Sequence, residues 1–152
     1  MPRAPYNVFV IPYILEADTI KYCVMLRSDM ENGWQFIAGG GEDDETPLEA
    51  AIRETWEESG IPGSNQFTAL TTKGDVPVFY FSKEAQEAWG PDTYIIPNHA
   101  FAVQVRDLTI TLSHEHTEYR WLEYADASQL LKFDSNKTAL WELKCRLERG
   151  IV

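Results

Sequence analysis

The sequence predicts a mixed α+β fold built in layers. Segments rich in β-branched and aromatic residues outnumber helical patterns, and the two kinds do not alternate as they would in a doubly wound sheet. A chain of 152 residues with 44% hydrophobic and 12% aromatic content is long enough to bury a core between such layers. It carries no internal repeat, low-complexity tract or linker, so residues 1–152 read as one domain.

In chain order, strands are expected at "YNVFVIPYI" (6–14), "IKYCVMLRS" (20–28), "WQFIA" (34–38), "FTALTTKG" (67–74), "VPVFYFS" (76–82) and "AFAVQVRD" (100–107). Helices are expected over 46–59 and 135–149, with a shorter one near 125–132 and a helical turn and loop in 83–98. The first helix follows from local rules. Thr46 is a good N-cap, Pro47 sits where its missing N–H costs nothing, and Glu49 completes a Thr-x-x-Glu capping box. Gly60 stops the helix at the position that tolerates a left-handed backbone. Leu48, Ala51, Ile52, Thr55 and Ser59 fall at the spacings of an inward face.

The formal net charge of −11 disfavours polyanions, so long nucleic acid is not an expected partner. No stretch has the length and apolarity of a membrane span, and the amino-terminal "MPRAPYNVFVIPYI" reads as a first strand in a cytoplasmic protein rather than a leader. Cys23 and Cys145 lack metal-type spacing and read as reduced, buried thiols. His99, His114 and His116 lack the cysteine or helical i,i+4 partner of a zinc site. Trp34, Phe36, Phe79, Tyr80, Phe81 and Trp121 read as core, with one or two free to stack on a flat ring.

The acids of the first helix are less easily absorbed. Glu54, Glu57 and Glu58 stand at i, i+3 and i+4, where like charges repel by a few tenths of a kcal/mol per pair. Arg53 reaches Glu57 or Glu45, but one guanidinium does not neutralise three glutamates with Asp43, Asp44 and Glu45 close by. Three glutamates alone describe a solvated acidic face. A hard divalent cation, Mg²⁺ or Mn²⁺, would offset their repulsion and leave coordination sites for phosphate oxygens. A small anionic substrate thereby becomes compatible with an acidic protein.

Glycines and spacing favour the cation. Gly39, five residues, Glu45, seven residues, then Arg53-Glu54-Thr55-Trp56-Glu57-Glu58-Ser59-Gly60-Ile61 resembles the Nudix box, G-x5-E-x7-R-E-U-x-E-E-x-G-U, at every specified position but one. Thr55 stands where the box has an aliphatic residue, and Ala38 where many relatives have another glycine. The resemblance implies an α/β/α sandwich with a mixed sheet, a loop-helix-loop metal site, and hydrolysis of a nucleoside diphosphate linked to another moiety. It implies that Glu57 and Glu58 are metal ligands, Glu54 a third ligand or base, Arg53 their orienting residue and Glu45 a brace for the loop. By the same resemblance the main chain at Ala38 and Gly39, with Gly40 beside it, approaches the metal or the phosphates. Arg27, at a strand end, reads either as a phosphate contact or as a solvated cation.

The segment 112–147 adds a second match. Glu115-His116, Tyr119, Trp121-Leu122 and a last helix opened by Ser135-Asn136 resemble Nudix enzymes that act on dihydroneopterin triphosphate, also labelled dATP pyrophosphohydrolases. In them a glutamate of this loop completes the metal site or acts as base. Glu115 matches it, with Glu118 as the alternative. The expected activity is cleavage of a pterin or nucleoside triphosphate to monophosphate and pyrophosphate by a monomer or homodimer. A dinucleoside polyphosphate hydrolase and a non-catalytic nucleotide-binding regulator are the alternatives.

Overall fold

The computed structural model describes residues 2–152 and has the mixed layered architecture expected from the sequence. Strands β1 (Arg3–Leu15), β2 (Ile20–Arg27), β3 (Trp34–Gln35) and β4 (Ile37–Glu42) precede helix α1 (Pro47–Ser59). Then come β5 (Phe67–Pro77), α2 (Lys83–Trp89), β6 (Ile95–Val105), β7 (His116–Leu122), α3 (Tyr124–Leu130) and α4 (Asp134–Arg149). The sheet runs β3-β2-β1-β6-β5, with β4 paired to β1 and β7 to β2. Only β1 and β6 are parallel; the other pairings are antiparallel.

β1 organises the molecule because three strands use it. Its first half pairs with β4 (Val8 opposite Gly39, Phe9 opposite Ala38) and its end with β2 (Tyr13 opposite Tyr22), while β6 follows it from Asn7 to Ile14. Side chains alternate across a strand, so β1 feeds two cores. Phe9, Ile11 and Tyr13 pack with Ala127, Ala139, Leu140 and Leu143 from α3 and α4. Val8, Val10 and Ile14 pack with Ala50 and Ala51 of α1. The sheet therefore lies between helix layers, the sandwich that the resemblance implied.

Several elements differ from expectation. The segment "WQFIA" is broken at Phe36, and its second part runs through the glycines to Glu42, paired to β1. Residues 76–82 do not form a separate strand. Val76 and Pro77 finish β5, whose register slips between Ala69 and Lys73, and Val78–Tyr80 make a 3-10 turn. Pro77 has no N–H with which to extend the ladder, and the Phe81 N–H closes back onto the Val78 carbonyl at 3.0 Å. Within 83–98, α2 fills the helical turn and β6 begins earlier than expected, at Ile95. β7 is not expected as a strand from the sequence, because its outward Thr117, Glu118 and Arg120 mask the alternation and its ladder comes from distant β2. On α1, Ala50 and Glu58 are buried and Leu48 is exposed, so the inward face is rotated from the one read off the apolar spacing. Thr55 is fully buried with its Oγ1 unpartnered, so it occupies the aliphatic position of the motif at the cost of an unmade hydrogen bond. Cys23 is buried and Cys145 half-buried; both are free thiols.

Candidate active site

The site begins where β4 turns into α1. The capping box forms as expected: the Glu49 N–H donates to Thr46 Oγ1 at 3.2 Å and the Thr46 N–H to Glu49 Oε1 at 2.9 Å. At the other end Gly60, with φ of 75°, donates to the Trp56 carbonyl at 3.0 Å. These caps fix α1 against β4, and the glycines of β4 allow the close approach. A Cβ at Gly39 would overlap the Glu54 carboxylate and one at Gly40 the Arg3 guanidinium.

Arg53 is the hub of the acidic loop. It donates to both oxygens of Glu45 at 2.8 and 2.9 Å, to Glu54 at 3.0 Å, to Glu57 at 3.2 Å and to the Gly40 carbonyl at 2.8 Å. Glu42 lies 3.7 Å away. Bonding to Glu45 holds the guanidinium above its ordinary pKa and the Glu45 carboxyl below its own. Arg53 thus touches Glu45, Glu54 and Glu57, the acids beside which the sequence places it.

The three glutamates do not share one face. Glu57 is half-exposed and bound to Arg53, whereas Glu54 is 14% and Glu58 only 2% exposed, one turn apart and directed at β4. Glu58 Oε1 accepts from the Ala38 N–H at 3.4 Å, and its Oε2 is buried without a partner. Burial, then the adjoining Glu54 and the charge of Glu115, push Glu58 up to about 10; burial also raises Glu54. Among the described residues no group of three or more His, Cys, Asp and Glu side chains is already gathered around a metal position. The donors nonetheless suit a hard cation. They are all oxygens, and two carboxylates side by side are bridged only by a proton or a cation, which the orphaned Oε2 is placed to meet. Glu54 and Glu58 would hold it, and Glu57 would join them by turning away from Arg53.

His116, at the start of β7, reaches the same spot from the other side of the sequence. Its Nδ1 lies 3.6 Å from Glu58 Oε1 and its Nε2 3.1 Å from Gln35 Nε2. Burial, with Arg27 nearby, lowers its pKa to about 4, so the ring is neutral at pH 7. With Nε2 accepting from Gln35, its proton sits on Nδ1 and faces Glu58.

A cleft of about 930 Å³ adjoins these groups: its lining includes Arg3, Arg27, Ala38, Gly39, Tyr80, Phe81, Glu115, His116, Lys132 and Asn136, while the three glutamates of α1 lie behind the Ala38–Gly39 wall and outside that lining. Arg27 faces it with two of its donors on Asp29, at 2.8 and 2.9 Å. Glu115 stands at the rim, its carbonyl accepting from the Ser28 N–H at 2.9 Å. Glu118 is outside the lining and takes Arg120 at 2.7 Å. Sequence reasoning missed Arg3 and Gln35, and took Asn136 only as the opening of the last helix. Asn136 is buried, with its Oδ1 accepting from the Phe36 N–H at 3.4 Å. A buried polar residue opening α4 carries a weak signal in the sequence; Arg3 and Gln35 carry none.

Comparison with known proteins places this geometry. The NUDIX domain profile matches residues 6–142. The dihydroneopterin triphosphate diphosphatase of Haemophilus influenzae is 29% identical over 143 residues, 94% of this chain and 90% of that protein. The asymmetrical bis(5'-nucleosyl)-tetraphosphatase of Rattus norvegicus is 32% identical over 124 residues, 82% of this chain and 78% of that protein. A crystal structure described as a NUDIX hydrolase of Listeria monocytogenes superposes with a TM-score of 0.86 at 39% identity, covering 97% of each chain.

Proposed function

This chain belongs to the NUDIX family and is a hydrolase of phosphoanhydride bonds, and we propose that its substrate is a pterin or nucleoside triphosphate, cut between the α and β phosphates. One observation carries the reading. The 112–122 part of the segment that resembles the dihydroneopterin triphosphate enzymes brings His116 to Glu58 and Glu115 to the cleft, which supports reading that signature as part of the site. Nearly full-length similarity to the Haemophilus influenzae diphosphatase supports it. The non-catalytic regulator gives way to hydrolysis.

Glu54, Glu58 and, after rotation, Glu57 would hold the divalent cation, Mg²⁺ in this reading, with Ala38 and Gly39 forming the adjoining wall. When bound, the cation lowers the pKa of the attacking water and neutralises charge on the phosphates. The chain's own residues do the rest. Arg53 keeps Glu54 oriented, Gly39 and Gly40 let the polyphosphate lie close to the backbone, and Arg27 offers its remaining donors to a phosphate. Water attacks phosphorus, the α–β bridging P–O bond breaks, pyrophosphate leaves, and the water's proton passes to the Glu115 carboxylate.

A dinucleoside polyphosphate substrate is the second reading, favoured by the 32% identity to the rat tetraphosphatase and by exposed Tyr80 at the cleft, with exposed Phe79 beside it, where a second base has room to stack. Turnover of dihydroneopterin triphosphate, dATP and diadenosine tetraphosphate, with products identified, separates them. Pyrophosphate from a triphosphate is the expected result; preferred cleavage of the dinucleotide overturns it.

A further inference from the structure

Arg3 is an arginine without a counter-charge. Its guanidinium lies against Gly40, over the Phe81 ring at 4.7 Å and near Trp89 at 5.9 Å, and the Trp89 indole N–H donates to the Arg3 carbonyl at 2.9 Å. The only side-chain hydrogen bond it makes among the described residues is to neutral Asn7 Oδ1, at 2.8 Å. Its Nε is buried with no partner. No described carboxylate comes within the 4.0 Å of an ion pair, although Glu54 is near enough to be felt. Burial lowers its pKa, yet an arginine keeps its charge at any physiological pH. A desolvated cation with an unmade donor is costly to leave alone in a protein carrying net charge −11. The aromatic stack fixes the guanidinium in place and takes none of its donors in the ring plane.

What it faces is the cleft, whose lining includes Arg3, Asn7, Phe81 and Asn98 together with Gly39. We propose that Arg3 is a phosphate-binding residue of the substrate site: it holds the polyphosphate chain on the face of Gly40 opposite Arg53, while Glu54 and Glu58 handle the cation beyond Gly39. The division follows the alternation of β4, which sends the missing Cβ of Gly39 toward Glu54 and that of Gly40 toward Arg3. A planar fork of donors, immobilised before the ligand arrives, matches two oxygens of one phosphate. The substrate reading above supplies the polyphosphate; the anion site itself does not depend on the organic group attached to it.

The test uses inorganic tripolyphosphate as the probe, by calorimetry on the full chain at constant Mg²⁺, with Arg3→Gln and Arg3→Lys beside the wild type. Arg3→Gln should bind it roughly tenfold or more weakly and raise KM by a similar factor, with kcat within about threefold. Arg3→Lys should recover part of the loss, and the melting temperatures should stay close together. Equal affinity in wild type and Arg3→Gln overturns the proposal, as does a variant whose melting temperature falls while its affinity is kept, which would make Arg3 a brace for α2. Should Arg3→Gln not fold, the guanidinium resonances of ¹⁵N-labelled wild type decide. Tripolyphosphate should shift the Arg3 signal, and an unmoved Arg3 signal while other cleft resonances shift is a refutation. Tripolyphosphate bound through Arg3 by a protein that turns over no triphosphate would sink the substrate reading alone; triphosphate turnover with an indifferent Arg3→Gln would sink this proposal alone.

Discussion

Gly40 separates two arginines with opposite surroundings. Arg53, on the α1 side, is wrapped by Glu45, Glu54, Glu57 and the Gly40 carbonyl, with Glu42 at 3.7 Å. Arg3, on the other side, has one amide oxygen and two aromatic rings. Both are partly buried cations set against the same strand of glycines, β4. The difference teaches what each arginine has left to offer: the saturated one has no donor to spare and can only hold its carboxylates in place, while the unsaturated one has donors for the anion we propose it binds. The first region is built from residues close in sequence, and the second from residues nearly ninety positions apart, since Arg3 meets Trp89.

The largest expected effect comes from Glu58, the one glutamate of the three that Arg53 does not reach. Glu58→Gln should lower kcat by roughly a thousandfold while leaving the melting temperature unchanged or higher, because burial already disfavours the charged carboxylate. Added Mg²⁺ should raise the melting temperature of the wild type, by up to about 2.7 kcal/mol of stabilisation at a hundredfold excess over Kd, and not that of the variant. A Glu58→Gln enzyme with wild-type turnover would end the metal assignment.

Glu115→Gln comes next, with kcat down by roughly a hundredfold and KM little changed, as expected of a proton acceptor. Glu118→Gln should be silent in the same steady-state assay, its carboxylate being committed to Arg120 outside the cleft. Reversal of the two would move the base onto β7.

Arg53→Ala should cost both activity and about 2 kcal/mol of stability, since Glu45, Glu54 and Glu57 lose their common partner. Denaturant melts of Arg53→Ala and Arg3→Gln, side by side, sharpen the contrast: the organising arginine should matter more for stability, and the anion-facing one more for KM.

The smallest and most discriminating effect is expected at the glycines. Gly39→Ala pushes on Glu54 and should act mainly on kcat, whereas Gly40→Ala pushes on Arg3 and should act mainly on KM, each by roughly tenfold. The same response to both substitutions would mean that the two faces of β4 are not functionally separate.

How much of this was legible follows the same division. Thr46, Glu49 and Gly60 delimit α1 because capping is a matter of three or four residues, and Arg53 finds Glu45 and Glu57 within eight positions. Spacing alone therefore located the acidic centre and the family to which it belongs. It did not reveal that Glu57 turns outward while Glu58 is buried. That depends on how α1 is rotated against β4, which is set by Ala50 and Ala51 packing under Val8 and Val10 and not by the acids. Nor did it reveal β7, whose alternation is blurred by exposed polar residues and whose ladder is completed by β2.

The sequence by itself determined the layered α+β class and the capped helix, since each rests on short-range periodicity or capping, and it set Arg53 within one or two turns of the acids it binds. Only the tertiary structure decided which glutamate is desolvated, that His116 comes to it across the sheet, and that Arg3 is left without a carboxylate. The physical reason is that burial and charge pairing are properties of the neighbours a side chain acquires when distant strands close on one another, and β1, paired with β4, β2 and β6 at once, brings those neighbours together.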